Sequence, residues 1–75
     1  MTLNELGDVL NDMYQNAPTN ESVAMIHLFA IKYANQIKDL NVSCKSIAKA
    51  AGINQSYGTE ISKGMKLAKY VSVKG

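Results

Sequence analysis

The sequence predicts a mainly α domain of four helices closed by a short C-terminal strand, and three observations carry that prediction. Apolar residues recur at three- and four-residue steps through most of the chain, as they do on one face of a helix. Pro18 and Gly52 interrupt that rhythm, Pro because it cannot continue a helix and Gly because it accepts the left-handed conformation in which helices often end. From Tyr70 to Lys74 the spacing changes to alternation, Val71 and Val73 facing one way and Tyr70, Ser72 and Lys74 the other, the pattern of a half-buried strand.

A first helix is expected over residues 2–16. Thr2-Leu3-Asn4-Glu5 has the form of a capping box, and Leu3, Leu6, Leu10, Met13 and Ala17 make its apolar stripe, with Glu5, Asp8 and Asp12 on the remaining surface. Those carboxylates read as a solvated face. Asn16-Ala17-Pro18-Thr19-Asn20 breaks the chain, with Thr19 or Asn20 able to cap the next element. A long second helix is expected from about Glu21 to Asp39. Its stripe is Val23, Ile26, Ala30, Tyr33, Ile37 and Leu40, and Met25, Leu28, Phe29 and Ile31 extend the apolar surface nearly around its first half. A helix apolar on most sides is buried on most sides, so it is either the central helix of the monomer or half of a dimer seam.

Leu40-Asn41-Val42 reads as a short extended link, after which Ser43 can cap the third helix. Ser46-Ile47-Ala48-Lys49-Ala50-Ala51 places Ile47, Ala48 and Ala51 inward. Gly52 turns the chain, Ile53 plugs the turn, and Asn54 can cap a fourth helix starting at Gln55. Ala48 carries only a methyl, so the fourth helix can cross closely over the third, as a helix-turn-helix requires.

The run Ile47 to Gly64, within a motif at residues 45–66, resembles the helix-turn-helix of the Cro and phage-repressor family, with possible winged-helix-like flanks. The likeness rests on the inward Ala48, the turn Gly52, the Gln55-Ser56-Tyr57 opening, Glu60-Ile61 and the closing Gly64. Gly58 stands where that family places a branched apolar residue, so either the two helices approach unusually closely or the second is locally loose. The family also continues into further helices where this chain turns to its strand-like tail, a reduced wing at most. The resemblance therefore extends to the way the motif reads DNA and not to the whole fold.

It implies a sequence-specific, repressor-like transcriptional regulator of double-stranded DNA, prokaryotic or phage, acting as a homodimer on an inverted repeat. The recognition helix, about 55–67, would lie in the major groove with its first residues on base edges. On that helix Asn54, Gly58, Ile61, Met65 and Ala68 fall inward. Gln55, Ser56, Thr59 and Lys63 face out as base-contacting candidates, Gln55 foremost because its amide can donate to and accept from adenine together. Ser43, Lys45, Lys49, Tyr57 and Lys66 are the phosphate-contacting candidates, Tyr57 with its ring at the helix junction and its hydroxyl outward. Glu60 either accepts from a cytosine amino group or pairs with Lys63. Each lysine could equally be a solvated surface charge.

Charge and composition agree with that reading. Residues 1–37 hold four carboxylates against Lys32, a sum of −3, whereas residues 38–75 hold seven lysines against Asp39 and Glu60, a sum of +5. The basic half is the half with the motif, the footprint of a nucleic-acid contact. Every cation is lysine, so bidentate guanidinium reading of guanine is excluded. Seventy-five residues are expected to form a single domain, 1–75, small enough that self-association would add useful burial.

A lone His27 in an apolar run reads as a packed, hydrogen-bonded residue. The lone Cys44 reads as a small residue at a helix start, and Met13, Met25 and Met65 read as core filler. No metal, no cofactor and no small-molecule effector are expected, and no enzymatic activity, since no set of titratable residues forms a recognisable site. No apolar run approaches a membrane span and the N-terminus lacks a signal-peptide layout, so a cytoplasmic, nucleoid-associated protein is expected. The competing expectation is a protein-interaction module, antitoxin-like or an adaptor, that uses a helix-turn-helix scaffold and docks a partner on its acidic half.

Overall fold

In a computed structural model, which describes residues 1–74, those residues form five α-helices. They are α1 Leu3–Gln15, α2 Ser22–Lys32, α3 Ala34–Leu40, α4 Cys44–Ala50 and α5 Gly58–Leu67, with a 3-10 turn Gln55–Tyr57 leading into α5. The capping box at α1 forms as expected: the Thr2 hydroxyl accepts from the Glu5 amide at 3.1 Å and the Glu5 carboxylate accepts from the Thr2 amide at 2.8 Å. The backbone bond to Thr2, and then its side-chain bond, hold the Glu5 carboxyl below its ordinary value.

The 21–39 region is two helices rather than one. The backbone leaves helical values at Tyr33 (φ −108°, ψ 19°) and α3 begins at the next residue. Neither Gly nor Pro marks the break; it falls where Ala34 and Ile37 turn into a core already lined by Ile26, Phe29 and Ala30. The broad apolar belt of α2 is also less buried than expected, with Val23 39% exposed and Met25, Leu28 and Ile31 only partly covered. Neither Thr19 nor Asn20 caps α2. Asn20 takes a left-handed turn conformation (φ 66°), and Glu21 occupies the cap position without a side-chain bond.

The C-terminal strand does not form. Residues 71–74 have no regular structure, and no strand occurs among the described residues. The chain keeps winding after α5 instead, with the Tyr70 and Val71 amides both donating to the Leu67 carbonyl at 2.9 and 3.1 Å. A strand needs an extended neighbour to bond with, and the 40–42 segment, expected to be extended, does not supply one, because Asn41 is left-handed (φ 53°, ψ 41°) and closes α3. The flanks therefore build no wing.

Leu6 and Leu10 of α1, Ile26, Phe29 and Ala30 of α2, Ile37 of α3, Ile47 and Ala48 of α4, Ala51 at the end of α4, and Ile61 of α5 make one core. Each large member contributes about 1.5–3 kcal/mol by leaving water. Two small residues set how near the helices come. A Cβ on Gly7 would stand 2.7 Å from the Ala50 carbonyl carbon, and one on Gly64 would stand 2.6 Å from the Ala30 Cβ and 2.8 Å from the His27 carbonyl oxygen. Thus α1 lies against the end of α4, where the Asn11 amide also donates to the Ala51 carbonyl at 2.8 Å, and α5 lies against α2.

Candidate nucleic-acid interface

Local sequence builds α4, its turn and the start of α5. Ser43 caps α4, its hydroxyl accepting from the Ser46 amide at 3.1 Å and pairing with the Ser46 hydroxyl at 2.8 Å. Gly52 is left-handed (φ 74°); its amide donates to the Lys49 carbonyl at 3.0 Å and the Ile53 amide to the Ala48 carbonyl at 3.1 Å. That pair of bonds is the Schellman ending, in which the residues after the last turn satisfy its orphan carbonyls. The Asn54 side chain accepts from the Ser56 amide at 2.9 Å and starts the 3-10 turn. Asn54 itself is exposed, not inward as expected, because a capping side chain sits outside the helix it caps.

The crossing of α4 and α5 is close. A Cβ on Gly58 would meet the Lys45 amide nitrogen at 2.9 Å and the Lys45 Cα at 3.1 Å, backbone atoms that have no rotamer to yield. Of the two consequences open for Gly58, close approach is the one found. Ala48 and Ile61 are fully buried, Met65 and Ala68 are partly buried, and Gly64 joins the inward set.

Gln55, Ser56, Thr59 and Lys63 are all exposed. The first three line a shallow open groove with Cys44, Lys45, Gly58 and Ser62, so the opening of α5 and the start of α4 present one continuous surface. The Thr59 hydroxyl donates back to the Ser56 carbonyl at 3.0 Å, which commits its proton and leaves its oxygen free to accept. Lys45, Lys49 and Lys66 are exposed. Among the described residues Lys63 alone of the lysines forms an ion pair, to Glu60 at 3.2 Å.

Tyr57 is partly buried. Its ring packs on Tyr14 of α1, centroids 5.6 Å apart and tilted by 57°, and the two hydroxyls lie 3.4 Å apart. The hydroxyl expected toward phosphate thus faces a second tyrosine, and that bond, with some desolvation, raises the Tyr14 hydroxyl above its ordinary value. Burial likewise pushes the Cys44 thiol up, keeping it protonated at neutral pH, with Met65 sulfur 3.7 Å away.

Sequence reading missed the contact between His27 and Glu60. The His27 Nε2 lies 2.8 Å from a Glu60 carboxylate oxygen, joining α2 to α5 across 33 residues of sequence. Hydrogen bonds from His27, then Lys63, hold the Glu60 carboxyl below its ordinary value. No local pattern carries such a long-range pair. The close seats of Gly7 and Gly64 did carry a signal, since each small residue falls beside the apolar stripe of its helix, where side-chain bulk sets the spacing between helices.

Two helices joined by a tight glycine turn, the second presenting short polar side chains beside a lysine-bearing first helix, define a helix-turn-helix domain. A family model described as an HTH-like domain matches residues 2–74, and the chain belongs to that family. The family points to DNA as the class of partner. No curated protein and no solved structure matches the chain. Among the described residues no helix is long and apolar enough to cross a membrane.

Proposed function

We propose that this chain is a sequence-specific double-stranded DNA-binding regulator, repressor-like in the manner of the Cro and phage-repressor family, which docks Gln55–Leu67 in the major groove. The observation that carries this reading is the single exposed surface shared by Gln55, Ser56, Thr59 and Lys45, with Lys63 on the same helix. Gln55 reads adenine through its amide, Ser56 and Thr59 contact bases or a thymine methyl, and Lys63 reaches a base edge or phosphate. Ser43, Lys45, Lys49 and Lys66 fix the register on phosphates. Tyr57 serves the interface by holding the opening of α5 against Tyr14, whose hydroxyl meets its own.

The working unit is a homodimer on an inverted repeat, because one short recognition helix covers too few base pairs for useful specificity. The exposed Leu67, Tyr70 and Val71 at the end of α5 supply apolar surface for its seam. Such a protein would act in the cytoplasm, on the nucleoid. Selection of bound duplexes from a random pool, followed by gel shifts over a salt series, tests the reading. A recovered inverted repeat and a steep salt dependence are expected; no duplex binding by the folded protein would overturn it in favour of a protein-interaction module.

A further inference from the structure

Three charged or titratable groups form a chain along the flank of the reading face. His27 of α2 meets one carboxylate oxygen of Glu60 at 2.8 Å, and the other oxygen meets the Lys63 ammonium at 3.2 Å. The side chains are 30%, 21% and 64% exposed in that order, so the chain runs from the α2–α5 junction outward. Facing His27 from α5 are Glu60 and, through it, Lys63; among the described residues no other ion pair reaches any of the three, from α1 or from α4.

The charge on this chain depends on the imidazole alone. His27 is the one histidine of the sequence, and imidazole is the side chain whose charge can change between neutral and mildly acid pH. Glu60, stabilised as the anion by two donors, stays ionised throughout that range. With His27 neutral, Glu60 and Lys63 cancel and the ammonium is held at the carboxylate. With His27 protonated, the one carboxylate is shared between two cations on its two oxygens, so the group carries a net positive charge and holds Lys63, at the exposed outer end, less strongly.

We propose that His27, which lies outside the helix-turn-helix, is a positioning residue for DNA contact: it holds Glu60 at the α2–α5 junction, and its protonation releases Lys63 to phosphate, so that binding DNA takes up a proton. The inference rests on the DNA-binding reading above. By linkage, affinity rises as pH falls through the histidine range, and bound DNA in turn favours the protonated imidazole.

The test is fluorescence anisotropy with a labelled duplex from pH 8 to pH 5.5, at several salt concentrations, on the wild type, His27→Gln and Glu60→Gln. The wild type should bind severalfold more tightly at the acid end, with a salt slope steeper by about one counterion. His27→Gln should lose most of that pH dependence. Glu60→Gln, which removes the carboxylate that restrains Lys63, should bind more tightly than the wild type at pH 8 and vary little with pH. Thermal unfolding of each variant at both pH limits separates folding from binding, and either variant suffices if the other fails to fold. A pH profile unchanged in the folded variants, with duplex binding intact, overturns the inference alone. No duplex binding by the wild type at any pH overturns the DNA reading and the inference with it.

Discussion

Gly58 and Lys45 meet backbone to backbone, with room for a hydrogen but not for a methyl, since a Cβ at position 58 would stand 2.9 Å from the Lys45 amide nitrogen. Helix propensity alone would favour Gly58→Ala by up to ~1 kcal/mol. The clash works the other way and is larger, because forcing a carbon into a packed junction costs about 1–3 kcal/mol. Gly58→Ala should therefore lower the urea midpoint, and Gly58→Val should lower it further. A midpoint for Gly58→Ala at or above that of the wild type would show that α4 and α5 are not seated this closely.

Gln55 is exposed at the groove, and its side chain makes no hydrogen bond among the described residues, only its backbone carbonyl accepting from the Gly58 amide. Gln55→Ala should cost ~1–3 kcal/mol on a selected site and much less on random duplex, because it removes a base contact but no phosphate contact. Equal losses on both duplexes would assign Gln55 to the DNA backbone.

Lys45 and Lys49 are exposed and make no ion pair among the described residues, whereas Lys63 is paired with Glu60. Lys45→Ala and Lys49→Ala should each weaken binding to all sequences and reduce the salt slope by about one counterion. Lys63→Ala should reduce it less at pH 8 than at pH 6. The slopes of log Kd against log salt measure all three, and unchanged slopes in Lys45→Ala and Lys49→Ala would remove α4 from the DNA.

Acid should weaken the fold through Glu5. Its folded pKa is depressed, so its contribution is complete above the ordinary value of 4.5 and is lost as pH falls through the lower folded value. The stability gap between wild type and Glu5→Gln should be present at pH 7 and should close below about pH 4.5. Urea melts at pH 7, 4.5 and 3 read it directly; a gap that persisted at pH 3 would mean the carboxylate charge is not what the cap uses.

Val71 is 51% exposed and Val73 partly so, at the end of a chain that forms no strand. If this surface is part of a dimer seam, Val71→Asp with Val73→Asp should weaken self-association and DNA binding together while leaving the melting of the monomer nearly unchanged. Sedimentation of a monomeric wild type at micromolar concentration would remove the seam from this place.

The cap at Thr2, the break at Pro18, the Schellman ending at Gly52 and the Asn54 cap were legible in the sequence, because each depends on atoms within five residues of one another. So were the outward positions of Gln55, Ser56, Thr59 and Lys63, which follow from the apolar stripe through Ile61. Tertiary packing decided the rest. It divided the 21–39 helix at Tyr33 without a Gly or Pro to announce it, and left the alternating tail without an extended edge to pair with. It brought His27 to Glu60 and Tyr14 to Tyr57 across 33 and 43 residues. Periodicity shows which face of an element turns inward, but which element lies opposite depends on how the helices pack as three-dimensional solids. Here small residues at Gly7, Gly58 and Gly64 let backbones approach to contact, and the long-range pairs form where that contact sets them.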